Sequence, residues 1–165
     1  MLSGETSVGA FPVQAVQAMR KIIVDVEKEL SRVKAYHPKE NHGNRYISDA
    51  ICYHSCKLAE KVGAEAIITM THSGYNTIEI SSHRPPCRIF AFTNNHFILN
   101  TLSLVWGVKG FYYNNENSTD NTVKETKRIL KEQKHIESNQ LVINVASMPI
   151  NEKGMTNMMK LSYVK

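Results

Sequence analysis

Val16, Met19, Ile23, Val26, Leu30 and Val33 recur at spacings of 3, 4, 3, 4 and 3 residues. A helix turns once in about 3.6 residues, so these side chains fall on one face over about five turns. Pro12 suits the opening turn, where its missing N–H costs nothing. The polar stretch His37–Asn44 carries Pro38 and Gly43 and predicts a linker over 37–46. That divides the chain into 1–36 and 47–165.

Beyond the linker, short apolar runs alternate with helical patterns. Ser48 is placed to cap a helix running to Val62, with Gly63 as its stop. Ala66–Met70, Arg88–Phe92, Gly110–Tyr113 and Leu141–Val145 are near-continuous apolar runs, as expected of strands covered on both faces. Between them, helices are predicted over Ser73–Ser82, ending before Pro85 and Pro86, and over Asn95–Leu104. A third, capped by Ser118, Thr119 and Asp120, runs to about Lys134. Met159–Val164 alternates and predicts a fifth strand. No helix separates it from the fourth, so it should return antiparallel at the edge. The expected fold class is α/β: a five-stranded mixed sheet with helices on both faces, preceded by the extra N-terminal helix.

Composition narrows this only a little. Of 165 residues, 42% are apolar and 21% charged, which argues for a globular chain rather than a disordered one. No apolar run is long enough for a membrane helix, and no leader-like pattern opens the chain, so a cytoplasmic location is expected. Three cysteines, Cys52, Cys56 and Cys87, have no disulfide or zinc-finger spacing and read as reduced core thiols. The formal charge of +5, with Lys124, Lys127, Arg128, Lys131 and Lys134 on one late helix, reads mainly as a solvated face. A basic nucleic-acid-binding domain is the rival reading of the same charge.

Thr71-His72-Ser73-Gly74-Tyr75-Asn76-Thr77 directly follows the first strand and opens a helix. Helix-start N–H groups are unsatisfied and sit at the positive end of the dipole. Hydroxyls at Thr71, Ser73 and Thr77 add donors, and Gly74 lets an anion approach the backbone. The turn can therefore hold a phosphate, although it lacks P-loop spacing and any lysine. An ordinary capped strand-to-helix turn reads equally well on spacing alone.

The same residues resemble the C-terminal domain of pyruvate kinases. The resemblance runs through Ala59–Ile68, Thr71–Thr77 (the family's T-x-S-G-x-[ST]-[AS] turn) and Ile80–Pro86. Leu104–Val108 and Gly154-Met155-Thr156-Asn157 are similar to the family's L-x-x-G-V and G-x-T-N. Met1–Gly9 and Phe11–Val16 resemble the segment that closes its catalytic barrel. These matches occur in order over essentially the whole chain.

The resemblance implies a strand order of 3-2-1-4-5. It implies a fragment: residues 1–36 as the last loop and helix of a (β/α)8 barrel, 37–46 as linker, and 47–165 as the C-terminal domain. It implies a parent phosphotransferase that makes pyruvate and ATP from phosphoenolpyruvate and ADP in glycolysis, with Mg2+ and K+, commonly as a homotetramer. The fragment would bind no metal or cofactor and be inactive alone. Only Ser3, Glu5 and Thr6 match an active-site-end loop of the barrel. The domain would bind a phosphorylated effector through Thr71, His72, Ser73, Gly74, Asn76 and Thr77. A second loop would close over it through Met148, Asn151, Lys153 and Gly154. Lys153 is that loop's only cation, with Glu152 beside it, which suits a monophosphate. Its partners would be the effector, the missing barrel and other copies of the same domain, with no nucleic acid or membrane. A stand-alone phospho-ligand sensor on the same fold is the other alternative.

Overall fold

The computed structural model describes residues 1–29, 45–115, 118–148 and 154–165. The chain divides into two units, Met1–Arg32 and Val33–Lys165. The first holds a short helix α1 (Gly4–Ser7) and a long helix α2 (Pro12–Glu29). Proline opens α2, as its fixed φ favours. The stripe residues Val16, Ile23 and Val26 are about half exposed, at 50%, 48% and 52%. Leu30 and Val33 of that stripe lie outside the described residues, as does linker segment 37–44.

The second unit runs α3 (Tyr46–Val62), β1 (Ala66–Met70), α4 (Tyr75–Ser82), β2 (Arg88–Thr93), α5 (His96–Leu102), β3 (Val108–Tyr112), α6 (Thr119–Glu132), β4 (Leu141–Ala146) and β5 (Met158–Tyr163). The five strands form one sheet in the order β3-β2-β1-β4-β5. β1 pairs parallel to both β2 and β4, and β2 pairs parallel to β3. β5 returns antiparallel to β4, with Asn144 opposite Lys160.

Strand side chains alternate between two cores, which is why the strands read as unbroken apolar runs. Ile67, Ile89, Ile143 and Val145 pack with Cys52, Cys56 and Ala59 of α3 and Ile80 of α4. Ile68, Phe90, Phe92, Phe111 and Val142 face the other way and pack with Leu130 of α6. Phe92 and Phe111 stack at 5.0 Å between ring centres. The layers are thus helix, sheet, helix.

Several boundaries differ from expectation, for local reasons. Ser48 does not cap α3, which starts at Tyr46 with Arg45 in the cap position. The Ser48 hydroxyl is buried and accepts the Thr156 N–H at 3.0 Å, so its bond is long-range. Tyr46, the last residue of the expected linker 37–46, is already the first of α3. α4 begins at Tyr75, two residues late, because Gly74 takes a left-handed φ of 80°. β3 starts at Val108, where its N–H still returns to Val105, and ends at Tyr112. Ser118 occupies the cap position of α6 without a side-chain bond, and Asp120 pairs with Lys160 at 2.7 Å. The basic stripe of α6 is largely engaged within the domain. Lys127 donates to the Tyr163 carbonyl at 3.0 Å, Lys131 to the Lys165 carbonyl at 3.0 Å, and Arg128 pairs with Glu132.

Phe90 is 2% exposed and touches the rings of Phe111 and His135. Truncating it leaves a cavity that the paired strands on either side cannot collapse into. Phe90→Ala should cost about 3–5 kcal/mol, read as a lowered midpoint in urea unfolding.

Candidate functional site

The carboxyl ends of the four parallel strands open onto one cleft of about 660 Å³. Sheet order reverses between β1 and β4, and open α/β sheets place ligand crevices at such a point. Met70 ends β1 and Thr71 follows it, Thr93 ends β2 and Asn94 follows it, Tyr113 to Asn115 follow β3, and Ser147 follows β4; all line the cleft. No Asp or Glu is among its described lining residues, whereas Arg45 and His72 are.

The turn after β1 is clamped from below. Thr71 N–H donates to the Phe92 carbonyl at 3.0 Å, and the Thr71 hydroxyl accepts the Gly74 N–H at 2.9 Å. The Asn76 side-chain amide donates to the Met70 carbonyl at 3.0 Å. Thr77 is fully buried, its hydroxyl 2.7 Å from that of Thr69 on β1. Thr77 and Gly74 do not line the cleft; they hold its floor.

A glycine cap has no side chain with which to bond the first helical amides. The α5 start shows the contrast: Asn95 Oδ1 accepts from both Phe97 N–H and Ile98 N–H. In α4 the Ile78 N–H reaches the Gly74 carbonyl, and Tyr75 N–H meets Ser73 Oγ at a long 3.4 Å. The N–H groups of His72, Ser73, Asn76 and Thr77 find no acceptor among the described residues. Three of them, on His72, Ser73 and Asn76, belong to residues that line the cleft at the positive end of a helix. Ser48, Thr71 and Thr93, all buried, accept backbone N–H groups, which leaves each hydroxyl hydrogen free to donate.

Tyr75 points across the cleft toward α3. Its hydroxyl donates to Asp49 Oδ1 at 2.5 Å, and the Arg45 guanidinium lies 4.5 Å above its ring centre. Burial, then the Asp49 hydrogen bond, push the Tyr75 phenol up to about 12. One face of the Tyr75 ring is thus occupied by Arg45.

The second loop is only partly described. Ser147, Gly154 and Thr156 line the cleft. Met148 is half exposed, and its N–H and carbonyl both bond the Asn157 side chain, at 2.7 and 2.8 Å; it does not line the cleft. Asn151 and Lys153 lie outside the described residues. Sequence reasoning passed over Arg45, Asn94, Asn114 and Asn115. Asn115 Nδ2 and the Tyr113 hydroxyl both donate to Glu125 on α6, at 3.0 and 2.7 Å, which fixes the β3 side of the cleft. The available signal was topological: all but Arg45 stand just past the end of a parallel strand.

In the first unit, Ser3, Glu5 and Thr6 do come together. Ser3 N–H and Oγ each lie 3.2 Å from Glu5 Oε2, and the Thr6 hydroxyl donates to the Ser3 carbonyl. The N–H groups of Glu5 itself and of Ser3 hold the Glu5 carboxyl below its ordinary range. No three His, Cys, Asp or Glu side chains among the described residues are grouped to hold a metal ion. The described residues therefore do not fit an Mg2+ site.

A family model described as "Pyruvate kinase, alpha/beta domain" matches residues 49–162. The chain belongs to the pyruvate kinase family. It is 37% identical to a pyruvate kinase of Lactobacillus delbrueckii subsp. bulgaricus over 99% of this chain and 28% of that protein. It is 31% identical to the pyruvate kinase of Clostridium acetobutylicum over 100% of this chain and 35% of that protein. A crystal structure of a pyruvate kinase from Cryptosporidium parvum superposes with a TM-score of 0.78 at 27% identity, covering 100% of this chain and 33% of that one. The chain thus spans about a third of the length of these pyruvate kinases or less.

Cys52 and Cys56 are buried with their thiols pushed up chiefly by burial, and Cys87 is pushed up to about 12 by the same cause. They are packing groups rather than nucleophiles. No described helix is long and apolar enough to cross a membrane.

Tyr75 gives a pH test of the α3–α4 contact. Its folded pKa lies above the free phenol value of 10, so its contribution to stability is complete below about pH 10 and is lost as pH rises through about 12. Asp49→Ala should bring the Tyr75 titration, followed by its ring carbon NMR signal, back toward 10.

Proposed function

We propose that residues 47–165 are the effector-binding and subunit-contact domain of a pyruvate kinase, and that residues 1–36 are the end of its catalytic barrel, joined by the linker 37–46. The parent enzyme moves phosphate from phosphoenolpyruvate to ADP in the cytoplasm, as a homotetramer using Mg2+ and K+. The half-exposed apolar face of α2 supports the barrel assignment, because such a face needs a partner.

One observation carries the effector reading. The glycine-capped turn leaves the N–H groups of His72, Ser73 and Asn76 without an acceptor among the described residues, in a cleft whose described lining holds no carboxylate. A phosphorylated metabolite is bound there, its phosphate on the amides of His72, Ser73 and Asn76 and on the Ser73 hydroxyl. Thr71, Thr77 and Gly74 shape the cradle. Gly154 borders the far side, where the loop carrying Met148, Asn151 and Lys153 closes over the ligand.

Titrating the full chain with inorganic phosphate should shift the amide resonances of His72, Ser73 and Asn76 saturably in the millimolar range. Amides that stay still throughout Thr71–Thr77 overturn the reading.

Phosphoryl transfer needs positioned metals and cationic side chains, and the resemblance places those on the barrel. The chain alone should therefore form no pyruvate from phosphoenolpyruvate and ADP with Mg2+ above a protein-free blank. Turnover in this assay would place the catalytic groups within these residues.

A further inference from the structure

We infer that Arg45 pairs directly with the anion bound at the 71–77 turn and sets the preference of this cleft for a phosphate dianion. The inference rests on the phosphate reading above and adds a residue that the turn motif does not contain. Arg45 stands in the cap position of α3, is exposed, and lines the same cleft as Thr71, His72, Ser73 and Asn76. Its guanidinium is held over the ring of Tyr75, the residue that directly follows Gly74.

The neighbouring carboxylate does not neutralise it. Asp49 is four residues along α3, the usual spacing for an ion pair, but its Oδ1 accepts the Tyr75 hydroxyl instead. Arg45 makes no ion pair and no hydrogen bond among the described residues, so its charge stands uncompensated beside a cleft without described acidic lining. Stacking on an aromatic ring uses the face of a guanidinium. Its five N–H donors lie in the plane and stay free, in the fork that matches two oxygens of a phosphate. Tyr75 therefore orients Arg45 without consuming its hydrogen bonds, and Asp49 fixes Tyr75. The turn supplies backbone dipoles and Arg45 supplies the full charge that its sequence lacks.

The test uses the full chain and inorganic phosphate, followed by NMR. In the unmodified protein, phosphate should shift both the turn amides and the Arg45 Nε–H signal with one midpoint. Arg45→Ala should weaken phosphate binding about tenfold or more, the loss expected for one charge-assisted pair. Arg45→Lys should fall between, keeping charge but losing the fork. If the turn amides respond while the Arg45 signal stays still and Arg45→Ala keeps the same midpoint, Arg45 has no such role. If the unmodified protein shows no response at the turn at all, the phosphate reading itself falls and this inference with it. The Arg45 signal is read in the unmodified chain, so the outcome does not depend on how the variants fold.

Discussion

The bond from the Gly74 N–H to the Thr71 hydroxyl fixes the corner on which the whole site depends. It holds the turn open at the end of β1 while Gly74 sits at a φ of 80° that other residues rarely adopt. Below it, the Thr69–Thr77 hydroxyl pair and the Asn76–Met70 bond lock the first turn of α4 to β1. The polar groups that look like ligands in sequence thus divide into two sets. Thr71, Thr77 and the Asn76 side chain spend themselves on holding the backbone. What they hold is a row of main-chain donors with nothing of their own to bond.

That division explains what was legible. The sheet could be read because its strands are covered on both faces and stand out as apolar runs between helical periods. The antiparallel return of β5 followed from the lack of a helix before it. The edges of the helices were less readable. Ser48 has every local mark of a cap, but its hydroxyl is claimed by Thr156, more than a hundred residues away in sequence. Ser118 and Asp120 likewise lie where a cap is expected, and Asp120 is drawn to Lys160 on β5. A local rule loses to a partner that only the fold brings near.

The turn at 71–77 was visible because its chemistry is contiguous. The rest of the cleft was not, because its residues come from five separate places and no spacing links them. Asn94, Asn114 and Asn115 are ordinary turn residues until the parallel strands line up their ends. Arg45 reads as the tail of a polar linker until α3 places it over Tyr75.

The central claim is that the backbone donors of this corner are unspent in the free protein and taken up by an anion. Amide hydrogen exchange measures that directly. Without ligand, Gly74 should be protected by Thr71, while His72, Ser73 and Asn76 exchange quickly; with saturating phosphate those three should slow together. If all three are already as protected as Gly74 in the free protein, the corner is filled by the protein itself and the account is wrong.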